Sequence, residues 1–370
     1  MSDDAAPSAR RKSWIVFVPL ALFLLVAVIW SGVWVYASNR AEREIEAWVA
    51  REARLGRIWN CGERHLAGYP FRFELKCRSP SLETRGGDSI IITAASAQVV
   101  AQIWAPNHIV AEFQAPARVM DRGSGKSYAA TWQVLQMSGV GDLSGQPQRF
   151  SVQVMEPRLQ EAQDPGAAPA PAPAPATSAA APGSGDAVIG AHLVEFHVRR
   201  TPGPSGALDN VDFAFGAKNA RAAVLDRAGS PGPLDVTIQG TVTAAADLRP
   251  MPVEQRLRAW AAAGGVARLE RLALTTPTVA ATASGALSVD PAGLLNGKLD
   301  LGFAGFQDLV AGLGRAGAIP SDLAPIVSAL AMVGKPTTVE GRRGVSYALS
   351  FNKGALRFGP LQVGFVPPLF

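Results

Sequence analysis

Two cysteines, Cys61 and Cys77, and four histidines, His65, His108, His192 and His197, are the side chains with which this chain of 370 residues could hold a metal or run a redox cycle. Cys61, His65 and Cys77 would give a tetrahedral zinc ion three ligands, but no convincing fourth stands near them. A redox pair needs Cys-x-x-Cys or a base beside the thiolate, and this spacing matches no such motif. Outside the cytoplasm, two such cysteines form a disulfide. His192 and His197 lie five apart on an expected strand and so point to opposite faces, while His108 is isolated beside Pro106 and Asn107. Gly123-Ser124-Gly125-Lys126-Ser127 resembles the end of a phosphate-binding loop. Met120 stands where its first glycine belongs, and the segment joins two strands, so it reads as a β-turn. Gly139-Val140-Gly141 reaches Ser144 where a dinucleotide fingerprint needs glycine. Neither Gly-x-Ser-x-Gly nor His-Glu-x-x-His occurs, and Glu195, Asp209 and Asp212 fall where solvated faces and turns are expected. The expectation is a non-enzymatic protein with no metal and no cofactor. A hydrolase using His65, His192 or His197 is the third reading.

The elements that would position these residues begin with a membrane segment. No charged residue occurs from Ser13 to Ser38, and Trp14 to Tyr36 is almost wholly apolar. About 20 such residues cross a ~30 Å hydrocarbon core as one helix. Trp14 at one end and Trp30, Trp34 and Tyr36 towards the other suit the two interfaces. Arg10, Arg11 and Lys12 precede the span with no comparable cluster after it. Residues 1–12 are therefore expected in the cytoplasm, 13–38 in the inner membrane and the rest in the periplasm. Val35-Tyr36-Ala37 resembles a signal-peptide cleavage site, but the apolar run exceeds a signal core and favours an uncleaved anchor. Residues 39–57 carry Ile45, Trp48, Val49 and Leu55 on one stripe and read as an amphipathic helical stalk.

With 48% hydrophobic and 18% charged residues the exported chain is not disordered. A net charge of +5 without a basic cluster argues against nucleic acid as a partner. Residues 161–186 form an Ala/Pro-rich segment, either a semi-rigid linker or a long loop within one sheet, dividing β-rich lobes at 58–160 and 187–370. Alternation at Phe71, Phe73, Leu75 and Cys77 opposes Arg72, Glu74, Lys76 and Arg78. The rhythm recurs at Ala111 to Val119, at Ala130, Trp132 and Val134, and at Phe150 to Val154. In the second lobe it recurs at Val211 to Phe215, Val236 to Val242 and Tyr347 to Phe365. Val279, Leu287 and Val289, a turn at Asp290-Pro291-Ala292-Gly293, and Leu295, Leu299, Leu301 and Phe303 read as one hairpin. The fold class is mainly β, a long antiparallel curved meander. Helices at Pro252–Ala263, Phe306–Leu313 and Ser321–Met332 are too few to cover about a dozen strands. The sheet must curl on itself, pair between lobes, or leave an apolar groove.

The Trp59-Asn60-Cys61 and Gly68-Tyr69-Pro70-Phe71-Arg72 blocks, followed by Cys77, resemble an uncharacterised family of bacterial envelope proteins, the domain of unknown function numbered 2125. The resemblance covers nearly everything after about residue 13, with its specific motifs confined to residues 56–78. The run from Gly285 to Leu301 is similar to the strand–turn–strand repeat of AsmA-like envelope proteins. That likeness implies a tethered, curved sheet with an apolar inner surface, associated with lipid traffic or outer-membrane upkeep. Neither resemblance brings catalytic residues. The leading expectation is a single-pass protein that holds or guides phospholipid acyl chains on an apolar groove lined by Val279, Leu287, Val289, Leu295, Leu299, Leu301 and Phe303. The alternative is a scaffold that positions envelope protein partners.

Overall fold

A computed structural model describes residues 17–85, 89–142, 144–162, 189–203, 209–222, 232–245, 251–305, 334–359 and 361–370. Helix α1, Val18–Arg54, starts with Pro19 in its first turn, where the missing N–H would have no helical partner. It is long and apolar enough to cross a membrane, and none of its residues is buried. Span and stalk are one unbroken helix. It stops at Arg54, short of the expected residue 57, because Gly56 takes φ +79° and turns the chain into the sheet.

All the described strands are antiparallel members of a single 21-stranded sheet. The first are β1 (Arg57–Asn60), β2 (Glu63–Ala67), β3 (Arg72–Arg78), β4 (Ser81–Thr84), β5 (Ile90–Gln102), β6 (Ala105–Asp121) and β7 (Ser127–Thr131). Next come β8 (Val134–Gly141), β9 (Pro147–Met155), β10 (Arg158–Glu161), β11 (Ile189–Gly190), β12 (Leu193–Thr201), β13 (Asn210–Ala222) and β14 (Leu234–Val242). The last are β15 (Val266–Thr275), β16 (Ala280–Val289), β17 (Leu295–Ala304), β18 (Lys335–Val339), β19 (Arg342–Asn352), β20 (Ala355–Phe358) and β21 (Leu361–Phe365).

From β12 to β17 the order is serial, as the alternation predicts. Before that it is not. The long strands β5 and β6 each pair with two sets of neighbours, one on either side of a bulge between Ala94 and Ser96. One band runs from β6 through β8, β9 and β12 to β13, and the other from β6 through β7, β10 and β11 to β13. Ala130, Trp132 and Val134 therefore do not share a strand. At Trp132 the chain steps between bands, and its indole N–H donates to the Phe113 carbonyl at 2.8 Å. β10 and β11, on either side of the Ala/Pro segment, pair with each other, and β9 pairs with β12. The segment is thus an insertion between neighbouring strands of one sheet; its residues 163–186 lie outside the described residues.

Register gives the sheet two chemically distinct faces. Following partners from β2 to β19 traces one row across thirteen strands. It runs through Leu66, Leu75, Val99, Ala111, Met137 and Val152. It continues through Phe196, Phe215, Ile238, Leu272, Ala283, Leu301 and Tyr347. At ~4.8 Å between strands the row is about 58 Å long. One residue along each strand, on the other face, stand Lys76, Gln98, Glu112, Gln136, Gln153 and Glu195.

Interior packing is thin among the described residues. Ala280, Ala304 and Val339 form the one fully buried cluster. Beside it Tyr347 meets Phe303 and Phe358, with centroids 6.2 and 4.8 Å away, and burial raises its phenol pKa. Helix α2, Val253–Ala262, lies where expected, with Trp260 Nε1 donating to the Thr243 carbonyl at 2.8 Å. The expected helices Phe306–Leu313 and Ser321–Met332 lie outside the described residues.

A disulfide joins Cys61, in the β1–β2 turn, to Cys77 of β3, with Cα atoms 5.7 Å apart and a sequence separation of 16. Replacing Cys77 with Ser should lower the unfolding free energy of the full chain in detergent by about 3 kcal/mol, the loop-closure value for such a separation. An unchanged denaturant midpoint would show that the bridge adds nothing. Gly297 sits at φ +133°, and a Cβ there would collide with the Ala286 carbonyl of the paired strand, whereas a Cβ at Gly139 would meet nothing within 4 Å. Gly297→Ala should lower the thermal midpoint and Gly139→Ala should not; equal midpoints would contradict the β16–β17 register.

Candidate functional site

The apolar face starts against α1. Trp34 stacks on Phe73 at 6.2 Å and meets the Tyr69 ring edge-on at 5.5 Å. Trp30 Nε1 donates to the Pro70 carbonyl at 3.0 Å, and the Ser31 hydroxyl bonds the Tyr69 hydroxyl at 2.8 Å. Farther along the helix, Arg64 of β2 pairs with Glu46 at 3.0 Å, Trp59 lies against Trp48 at 5.6 Å, and Arg57 binds Glu52. The Arg57 hydrogen bond holds the Glu52 carboxyl below the usual range. Trp34 to Glu46 spans about 18 Å of helix axis, and Tyr69 back to Arg64 about 17 Å of extended chain. The β2–β3 hairpin therefore lies lengthwise along α1, with its tip towards the apolar half. Phe73 and Arg64 have the register parity of the apolar face, so α1 abuts that face at its first edge.

The six motif residues build this junction. Gly68, at φ +106°, brings its own carbonyl to the Arg72 N–H at 3.1 Å, and a side chain there would strike the Arg72 carbonyl. Tyr69 and Pro70 touch the helix, the Phe71 ring lies 6.3 Å from that of Trp104, and the Arg72 carbonyl accepts from Trp34 Nε1 at 3.4 Å. Trp59 holds the other end.

Towards the far end of the face, the expected groove residues fall into one hairpin. Val289 opposes Leu295, and Leu287, Leu299, Leu301 and Phe303 oppose Gly297, Gly285, Ala283 and Ala281. Val279 lies one residue before β16. At 9% and 7% exposure Val279 and Val289 are interior, whereas the other five are half-buried. Midway along the face, Ile109, Phe150 and Phe196 are 45%, 41% and 37% exposed. The periodicity put Phe150 on an apolar strand face but did not single out this patch.

On the polar face, alternation marked Glu74 as a solvated side chain, yet it is 5% exposed. Lys76 and Arg72 each bind it at 3.0 Å, and Gln98 donates to it at 2.8 Å. Residues two apart on one strand share a face, so flanking cations were visible in the sequence; Gln98, brought in by register, was not. The histidines do not converge. His108 bonds Ser138, His192 bonds Glu156, and His197 Nδ1 lies 3.0 Å from Ser151 Oγ. Asp212, on the same face as His197, is engaged by Arg199 and Thr241 at 2.9 and 2.8 Å. The glycine-rich run after Asp121 is a turn in which Asp121 accepts from the Gly123 N–H and the Ser124 hydroxyl.

One long apolar helix joined from Trp30 to Glu52 to a single large antiparallel sheet defines the class of this molecule. The chain belongs to the family described as uncharacterized protein conserved in bacteria, DUF2125, whose model matches residues 34–367. The match begins at Trp34, the indole stacked on Phe73, rather than near residue 13. No curated protein and no solved structure matches the chain significantly.

Hydrogen bonding to Lys76, with Arg72 adding, outweighs burial and lowers the Glu74 pKa. Such a group stabilises the fold above its unfolded pKa of about 4.3, and this contribution is lost as pH falls through the lower folded value. Glu74→Gln should therefore destabilise the protein at neutral pH, and the gap from wild type should close in unfolding curves taken well below pH ~4. A gap that persisted in acid would contradict this assignment.

Proposed function

We propose that this is a single-pass protein of the bacterial inner membrane whose periplasmic sheet carries phospholipid acyl chains on its apolar face. The observation that supports the reading is the unbroken apolar row, which starts beside the apolar helix and crosses thirteen strands without a charged side chain. Basic residues before the span and none clustered after it set the orientation. Burying methylenes yields about 0.8 kcal/mol each, so roughly ten on the row give on the order of 8 kcal/mol, of which an open face captures part. The row has few polar groups to select a headgroup, so the acyl chain is what it recognises. The role is non-enzymatic.

A scaffold reading draws on β21, which among the described residues pairs with β20 alone. It exposes Leu361, Val363 and Phe365 at 67%, 54% and 59%. Crosslinking in cells would give discrete protein adducts at that strand if a partner docks there.

Native mass spectrometry of the full chain, released from membranes in mild detergent, should show bound phospholipid. Phe150→Glu and Phe196→Glu, at exposed positions on the face, should strip most of it while leaving the thermal midpoint near wild type. Absence of lipid from the wild type, or retention at the wild-type level by both variants, would overturn the reading.

A further inference from the structure

The geometry points to a second membrane contact: the tips of the β2–β3 and β5–β6 hairpins are seated in the bilayer interface beside α1, with Tyr69, Phe71 and Trp104 facing lipid. Trp30 and Trp34 stand about 18 and 24 Å along the helix axis from Val18, at 1.5 Å per residue. The first charge after Val18 is Arg40, about 33 Å along, and a hydrocarbon core is ~30 Å thick. Trp30 and Trp34 therefore lie within the stretch of α1 that the bilayer core and its interface occupy. Pro70, Tyr69, Arg72 and Phe73 are in direct contact with those two indoles and Ser31, so the hairpin tip shares their depth. The second tip is held level with the first, because the Ile103 N–H donates to the Phe71 carbonyl at 3.1 Å and the Trp104 ring neighbours Phe71.

At that depth the two tips present the side chains that an interface accepts. Tyr69, Phe71 and Trp104 are 54%, 58% and 65% exposed, a degree of aromatic exposure that costs free energy in water and none at the headgroup boundary. The cationic neighbour Arg72 is tied to Glu74 at 3.0 Å with its side chain still 57% exposed, placed to reach a lipid phosphate. Trp30 Nε1 and the Ser31 hydroxyl, polar groups within an apolar span, find partners on the first tip. The occupant is the bilayer that α1 crosses. The inference rests on α1 spanning a membrane and is independent of lipid carriage along the sheet.

Phe71→Cys and Trp104→Cys, each nitroxide-labelled in the full chain and reconstituted in phosphatidylcholine–phosphatidylglycerol vesicles, test it by power-saturation EPR against oxygen and a water-soluble nickel chelate. Both native cysteines are consumed in the disulfide, and both labelled positions are exposed; the ring contact each substitution removes lies between the two tips and leaves the Tyr69, Pro70 and Phe73 contacts with α1 in place. Labels at Val26→Cys in the span and Ser124→Cys in the β6–β7 turn calibrate lipid and water. The expected result is that Phe71 and Trp104 favour oxygen over nickel as Val26 does, with Ser124 reversed. Nickel access at Phe71 and Trp104 equal to that at Ser124, with Val26 protected, overturns the seating of the tips alone. Nickel access at Val26 as well overturns it together with the span.

Discussion

An antiparallel sheet with one apolar face must keep that face from water, and among the described residues the face is too broad for the elements that flank it. Thirteen strands contribute to one row, while the fully buried cluster among the described residues is two alanines and a valine. The contrast with the opposite face, where Gln98, Glu112, Gln136 and Gln153 line up, makes the asymmetry a property of register and not of overall composition. Half-burial of large side chains over such a width suits a surface that meets something oily better than it suits a closed core.

The junction with α1 decides where that surface begins. Trp34 on Phe73 and Arg64 on Glu46 fix the β2–β3 hairpin along the helix, and Trp48 on Trp59 and Arg57 on Glu52 fix β1 beside it. The Cys61–Cys77 bridge closes the far end of the same hairpin. Exposed ion pairs such as Arg64–Glu46 contribute little by themselves; here they set register while the aromatic contacts supply the buried area. The long apolar helix and the apolar face are thereby held in one fixed relation, which a flexible tether would not provide.

Much of this was legible in the chain itself. The charge-free run, the stalk, the β3 alternation, α2 and the hairpin from Leu287 to Phe303 all carry a pattern that one sequence displays. What one sequence does not display is partnership. The two bands joining β6 to β13 depend on a bulge at Ala94–Ser96 whose neighbours, Ala115 and Ala117, keep an ordinary alternating look. Trp132 fits the alternation around it yet leaves the strand to bond Phe113. Glu74 reads as a surface charge, since its hydrogen bond from Gln98, 24 residues away, depends on the β3–β5 register. The motif around Gly68 was recognisable as a block, but its purpose, a turn pressed against two tryptophans of the long apolar helix, emerges only when strand and helix are seen together.

The central claim, that acyl chains lie along the apolar row beyond the membrane helix, is tested most directly by photolabelling in living cells. Cells fed a diazirine-bearing fatty acid are irradiated, and adducts on this protein are mapped by peptide mass spectrometry. The account predicts adducts on strand peptides carrying Phe196, Leu272 or Leu301 as well as on α1. Adducts confined to α1 and the hairpin tips, with none on the strands past β6, would contradict it.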